Sequence, residues 1–400
     1  MNDYLRVLTF SDLIECGTLE IGDGYRAKNS ELGGDGIVFM KAGRLKGSGW
    51  DWTDADRFHT SSELKFDKKK SHVGDTVITT KGNSTGRTGY VSPGTPSFVY
   101  SPHLSYWRST DDSALNCRFL RYWATGQELT EQLKAMAHGT DMAPYLSLSD
   151  QKRLTISLPP IADQRRIGAT LGALDDKIAV NERIATKADE LSASIFKRAQ
   201  IESPNQFFEQ ALSNTAEFIN GRAFTKGATG DGRMVIRIAE INNGPSGSTV
   251  YNRLDVPEKH LARPGDVLFA WSGSLTVARW FRPESIINQH IFKCVPRNGN
   301  SHWLVNQLVH WKIDEFRAIA SDKATTMGHI QRKHLDEPVQ VPNLAMLQKL
   351  DTQISPLWGR ALCAEQESLS LATLRDTLLP QLMSGRLRVK DAEKIVEDQV

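Results

Sequence analysis

The chain has 400 residues and a mass of 44.6 kDa. At about 100–200 residues per domain, that length fits two to four structural units. With 40% hydrophobic and 24% charged residues and a mean hydropathy of −0.39, it is neither a mostly disordered chain, nor a collagen-like repeat, nor a multi-span membrane protein. Its 49 Lys+Arg against 47 Asp+Glu leave a net charge of +2, so charge alone names no nucleic-acid partner.

The start, Met1-Asn2-Asp3-Tyr4-Leu5-Arg6, has no basic region followed by an apolar stretch, so no signal peptide is expected. Cys16, Cys117, Cys294 and Cys363 lie far apart without Cys-x-x-Cys, against a zinc finger or a disulfide-dense scaffold. A reducing cytoplasm is the expected compartment.

In chain order, the first globule spans 1–160. It opens with short β-branched and aromatic runs between Gly, Ser, Asn and Asp turns. Val38–Lys41 reads as a strand ending on a cation. Val73–Thr79 and Thr88–Val91 flank Lys81-Gly82-Asn83-Ser84-Thr85-Gly86 and read as a hairpin. A helix follows near 114–137. Pro159-Pro160 then stops a strand, and a long helix fills 161–200. Its apolar positions Ile167, Leu171, Leu174, Ile178, Ile184, Ala188, Leu191 and Ile195 step mostly by 3 and 4, as a coiled-coil seam requires.

The same order then recurs. The second globule, 201–342, repeats the strand at Met234–Arg237 and the hairpin at Val267–Trp271 and Val277–Phe281, around Ser272-Gly273-Ser274. It repeats the helix at 302–320 and a closing proline at Pro342. A second long helix, 343–390, carries Leu350, Ile354, Leu357, Ala361, Leu371, Leu374 and Leu378, at a constant offset of 183 from the first seam. Glu367 interrupts that seam where the first copy has Ile184, and Asn181 aligns with Ala364. His103 and His290 occupy equivalent apolar segments and read as core histidines. Residues 391–400 read as a charged, frayed tail.

The expected fold is therefore α+β. Two similar globules are separated by a long antiparallel two-helix coiled coil, in a pseudo-twofold internal repeat. Neither helix can bury its seam alone. From Asp163 to Arg198 the first helix extends about 54 Å at ~1.5 Å per residue.

No catalytic constellation stands out. Phosphate-loop, dinucleotide-binding, His-Glu-x-x-His and Gly-x-Ser-x-Gly patterns are missing. Leu158-Pro159-Pro160-Ile161 lacks the Asn or Asp of an amino-methyltransferase motif. Glu63-Leu64-Lys65 has nuclease-like spacing but is too short to be specific. The chain is expected to recognise something and to do no bond chemistry.

Gln164-Arg165-Arg166-Ile167, Leu174-Asp175-Asp176-Lys177-Ile178 and Asn181-Glu182-Arg183-Ile184 resemble the central conserved helix of type I restriction-modification specificity subunits. Leu378-Leu379-Pro380-Gln381-Leu382-Met383-Ser384-Gly385-Arg386-Leu387 resembles the end of that family's second conserved helix. The two Gly-Asp hairpins resemble its target-recognition domains. The resemblance implies a noncatalytic subunit that binds double-stranded DNA. Each globule would read one half of a bipartite, asymmetric site, and the coiled coil would set the spacer and dock two methyltransferase subunits. Restriction-translocase subunits would join them. S-adenosylmethionine, ATP and Mg would belong to those partners, with no cofactor or metal in this chain and no membrane. The alternative is a coiled-coil scaffold whose paired globules bind protein or other ligands without reading DNA. A third reading is an enzyme with a divergent site.

Every segment is close to charge balance: 19 cations against 19 anions in 1–160, and 16 against 14 in 201–342. Phosphate contacts must then come from cations gathered on one face. Candidates in the first globule are Lys41, Arg44, Lys46, Lys68, Lys69, Lys70, Lys81 and Arg87, with Asn83, Ser84, Thr85, Thr140 and Asp141 placed to reach base edges. In the second they are Arg222, Lys226, Arg233, Arg279, Lys323, Arg332 and Lys333, with Ser272, Ser274, Thr325, Thr326, His329 and Gln331. Asp175, Asp176 and Lys177 are expected on the outward face of the first long helix.

Overall fold

A computed structural model describes residues 5–46, 49–60, 66–137, 145–321 and 328–399. The tripeptide Glu63-Leu64-Lys65 and the candidates Thr140, Asp141, Lys323, Thr325 and Thr326 lie outside the described residues. The chain divides into two compact units, Met1–Asp176 with Ala372–Val400, and Lys177–Leu371. The division falls within the long helices, not at their ends.

Each globule closes on itself before the chain enters a long helix. In the first unit, Arg6–Thr9 pairs antiparallel with Thr155–Leu158. In the second, Phe207–Ala211 pairs antiparallel with Pro338–Pro342. The first and last strands of each globule thus clasp one another. Between them lie two four-stranded antiparallel sheets of the same order. In the first unit the order is Leu19–Asp23, Leu104–Ser109, Thr76–Thr79, Thr88–Tyr90. In the second it is Ala216–Asn220, Ile291–Pro296, Val267–Ala270, Thr276–Arg279. A parallel pair accompanies each sheet: Val38–Met40 with Phe98–Tyr100, and Arg233–Ile236 with Ser285–Ile287. Both hairpins form where the sequence places them. The repeat is therefore one of topology as well as of sequence landmarks.

The Gly-Asp landmark has a structural cause. Gly74 and Gly265 have φ of 97° and 95°, a region that disfavours side chains. The following aspartate then turns back on the loop. Asp75 accepts from the His72 amide, Asp266 from the Arg263 amide. In the first unit Asp75 is fully buried and is also gripped by the Arg108 guanidinium and the Tyr100 hydroxyl. Burial, then the Asp75 charge, push the Tyr100 hydroxyl well above its usual pKa, so it stays a donor.

The long helices run Ile161–Glu202 and Leu344–Met383. Within each unit their segments are antiparallel. In the first unit Asp175 meets Arg375 while Arg166 meets Glu393, farther along the chain. In the second, Asn181 meets Glu367 while Phe196 packs with Leu347 and Leu350. Ile167, Leu171, Leu174, Leu350, Ile354, Leu371 and Leu378 are buried as the seam requires; Ile178, Ile195, Leu357 and Leu374 are partly buried. Leu191 departs from the expectation, being half exposed. The buried stripe there runs through Ala185, Ala188, Ser192 and Phe196, steps of 3 or 4 that rotate Leu191 off the seam. In the second unit the seam is lined by small residues, where Ala185 and Ala188 cluster with Ala361 and Ala364.

Glu367 and Asn181, the two polar interruptions, answer each other. The Asn181 amide donates to Glu367 at 2.8 Å, and Lys177 adds an ion pair at 3.6 Å. Sliding either helix by a turn would leave both groups in an apolar seam, so the pair specifies register.

The expectation of an outward Asp175 is corrected. It accepts from the Tyr122 hydroxyl, Arg121 and Arg375, each at 2.6 Å, and joins the first globule to both helices. Asp176 pairs with Arg118. The charged tail is also corrected. Val389–Glu397 is a helix with Val389, Ala392 and Val396 buried, held to the first unit through Arg166 and Glu393. Val389, Ala392 and Val396 recur at 3 and 4, a stripe hidden by the flanking charges.

Arg279 plays the Asp175 part in the second unit. Its side chain is 3% exposed and binds Asp189 of the first long helix and Glu365 of the second, stacked 4.4 Å over Trp358. Arg279→Ala leaves the partly buried Glu365 and the half-exposed Asp189 without their cation and is expected to lower stability by about 1–2 kcal/mol. Urea unfolding followed by tryptophan fluorescence measures this, since Trp280 and Trp358 lie in that unit.

Candidate nucleic-acid interface

Both sheets end in a rim of loops at the same place. In the first unit, four segments meet there: the turn after Asp23, the hairpin loop after Thr79, Pro102-His103, and Tyr145-Leu146. The Thr80 amide donates to the His103 carbonyl, and the Leu146 amide to the Thr80 carbonyl, both at 2.9 Å. In the second unit the Trp271 amide donates to the His290 carbonyl, and the Ile330 amide to the Trp271 carbonyl, both at 3.1 Å. The frame is the same, and the side chains on it differ.

A glycine completes each rim. A Cβ on Gly24 would lie 2.1 Å from the Ser101 carbonyl oxygen, and one on Gly221 would lie 2.1 Å from that of Asn288. Only glycine permits the chain to pass so close.

The rim gathers some candidates and not others. Lys81, Asn83, Ser84 and Thr85 lie on the first unit's hairpin loop, with Lys81 and Asn83 exposed. Arg222, Ser272, Ser274 and His329 lie on the second unit's rim. Ser272 is buried, bridged to His329, while Ser274 and Arg222 are exposed. Gln331, Arg332 and Lys333 continue from the rim and are exposed. Lys226 is an exposed cation a few residues beyond Arg222.

Other candidates are already engaged within the fold. Arg279 is corrected: it is a buried tie to the helices. Lys69 binds the Asp23 carboxylate at 2.6 Å and Lys70 binds Asp67 at 3.0 Å, which leaves Lys68 alone of that run without an acidic partner among the described residues. Lys41 pairs with Asp56, and Arg233 with Glu284. Arg44 donates to the Thr53 and Asp54 carbonyls, and Arg87 to that of Leu45. Their surplus donors are spent on loop structure. Lys46 is exposed beside the short strand Leu45–Lys46.

The histidines were misplaced by sequence. His103 and His290 are both exposed, not core. Each sits at the turn before an apolar strand rather than in it. His290 adopts φ 73°, a strained conformation for a residue with a side chain. Its ring lies 5.1 Å from Trp271, whose indole donates to Asn220 at 2.9 Å. Trp271, Gln289, His290, Asn220, His103 and Tyr145 are thus rim residues missing from the sequence-derived set. The signal was available in the equivalent places of His103 and His290 in the two copies.

Behind the second rim, His260 is 3% exposed and neither ring nitrogen has a partner among the described residues. Burial first, then the Arg222 and Lys259 charges, hold its pKa below the usual value. It packs as a neutral ring against Phe224.

The rim offers exposed cations, amides, hydroxyls and aromatic faces on a rigid sheet end. Such groups suit phosphates and base edges. Among the described residues there is no cluster of metal-ligating side chains, and no helix is long and apolar enough to cross a membrane.

A family model for the type I restriction modification DNA specificity domain matches residues 12–189. The chain is 22% identical over 318 residues to the type I restriction enzyme MjaIX specificity subunit of Methanocaldococcus jannaschii, covering 68% of this chain and 69% of that one. The crystal structure of a type I restriction-modification system S subunit from M. genitalium is similar in fold. Its TM-score is 0.56 at 17% identity, with 96% of this chain and 97% of that chain covered.

The glycine frame makes a testable demand. Gly221→Ala is expected to push the backbone away from Asn288 and break the bond from the Gln289 amide to the Arg222 carbonyl, now 2.9 Å. Hydrogen exchange at the Gln289 amide should rise at least tenfold, while that of the strand Val267–Ala270 stays slow.

Proposed function

We infer that this chain is a type I restriction-modification specificity subunit, since residues 12–189 match the family model and the second unit repeats the first unit's topology. Its function is to give such a complex its DNA sequence specificity. It is not itself an enzyme.

The duplicated rim carries this reading. Two copies of one hydrogen-bonded frame display different side chains, as two readers of two different words require. Each unit reads one half of a bipartite site. Lys81, Asn83 and His103 face DNA in the first unit, and Arg222, Ser274, Gln289 and His290 in the second. Exposed cations hold phosphates, and forked or amide groups read base edges. Trp271 offers an aromatic face beside His290.

The paired long helices set the spacer between the two words. Whole helical turns keep the seam in phase, so a matched insertion in both helices alters spacing alone. Exposed faces of these helices and globules dock two methyltransferase subunits, which carry S-adenosylmethionine and the N6-adenine chemistry. Restriction-translocase subunits with ATP and Mg complete the complex, which acts on cytoplasmic DNA. A plain scaffold would need no repeated polar rim.

The clasped end strands make each globule an exchangeable cassette. Replacing residues 207–342 by the same segment of another specificity subunit is expected to change one half of the methylated site and leave the other. Methylome sequencing of the host reads this directly. Loss of this chain should abolish a split N6-methyladenine motif, and an unchanged methylome would sink the reading.

A further inference from the structure

The second unit carries a cleft beside its outer sheet strand. It has a volume of about 410 Å³ and lies between the outer sheet strand Ala216–Asn220 and the turn Arg332–Asp336. Its inner wall is apolar, with Phe218 and Leu335 buried. Three cations, Arg297, Arg332 and Lys333, line it against two acids, Glu217 and Asp336. Arg332 and Lys333 have no acidic partner among the described residues. Arg297 meets Glu217 at 3.6 Å with both side chains half exposed, a weak pair that an incoming anion can displace. Asp336 is turned toward Ser213, whose hydroxyl donates to it at 2.6 Å. The cleft is thus net positive, over a wall that keeps water away from one side of the charges.

Its position matters as much as its charge. Arg332 follows two residues after Ile330, which donates to Trp271 on the rim. The cleft therefore runs along the outer edge of the sheet, from Arg332 near the rim to Arg297 at the opposite end of the strands. In the first unit, the residues two and three places after the equivalent rim bond are Leu148 and Ser149. The residue matching Arg297, by its amide bond back to the strand before the sheet, is Thr110. No cation stands at any of the three positions.

We propose that this cleft seats a backbone phosphate of the DNA strand flanking the half-site read by the second unit. The inference rests on the DNA-reading function above and adds to it an asymmetry. The second unit grips backbone through Arg297, Arg332 and Lys333, at positions where the first unit has Thr110, Leu148 and Ser149. Phosphate contacts carry no sequence information, so the cleft contributes affinity and register, not the word.

The test uses the chain assembled with its methyltransferase subunits and a duplex bearing both half-sites, titrated from 50 to 200 mM salt. Each lost phosphate contact makes the slope of log K against log salt shallower by roughly 0.9. The double variant Arg332→Gln/Lys333→Gln should therefore flatten the slope by about 0.9, so that affinity falls about three- to fourfold less over that salt range. The methylated sequence should not change. Arg332→Lys/Lys333→Arg should keep the parental slope, which separates charge from misfolding. An unchanged slope in the Gln variant, a flattened slope in the charge-keeping variant, or an altered methylated word overturns the cleft. A parental complex that binds scrambled duplex as tightly as its methylated motif overturns the DNA-reading function itself.

Discussion

The structure depends on one constraint: neither forty-residue helix can bury its apolar stripe alone. Each must lie against the other, and each globule must be tied to the pair. The ties are ionic and differ between units. In the first, one carboxylate, Asp175, collects Tyr122, Arg121 and Arg375. In the second, one guanidinium, Arg279, collects Asp189 and Glu365. The two hubs solve the same problem with opposite charge. Such buried ion pairs give little net stability against an apolar replacement but are costly to break singly. They therefore define orientation more than they add strength.

Register comes from a second polar contact. Asn181 and Glu367 interrupt the seam in sequence and complete each other in space. The rim of each globule relies on the helices only indirectly. It is built by the sheet's far strand ends and by a glycine pressed against a carbonyl. The same rigid frame carries different side chains in the two units, because the backbone bonds do not depend on which residues occupy the loops.

Much of this was legible in the chain. The repeat, both hairpins, both long helices and the alternation of globule and helix follow from periodicity and turn chemistry, which are local. The candidate interface was legible as a group of loops but not residue by residue. Lys69, Arg87 and Arg233 look like free cations in sequence and are held by acids or carbonyls distant along the chain, while Arg44 and Lys70 are held by nearer carbonyls or an acid. Leu191 looked like seam because heptad counting ignores the slow rotation of a 3.6-residue helix. His103 and His290 looked like core because their neighbours are apolar.

By itself the sequence determined the elements, their duplication, a family resemblance and the absence of catalytic signatures. These depend on spacing between near neighbours, and spacing is written in the chain. The tertiary structure decided which charges are spent and which are free. It turned Arg279 from a candidate contact into a tie, Asp175 from a surface acid into a hub, and the last charged residues into a docked helix. It also brought Arg297 to Arg332 and Lys333 across the edge of a sheet. Each of those outcomes is a pairing between residues far apart in sequence. No local pattern records such a pairing, because its free energy exists only once the chain has folded back on itself.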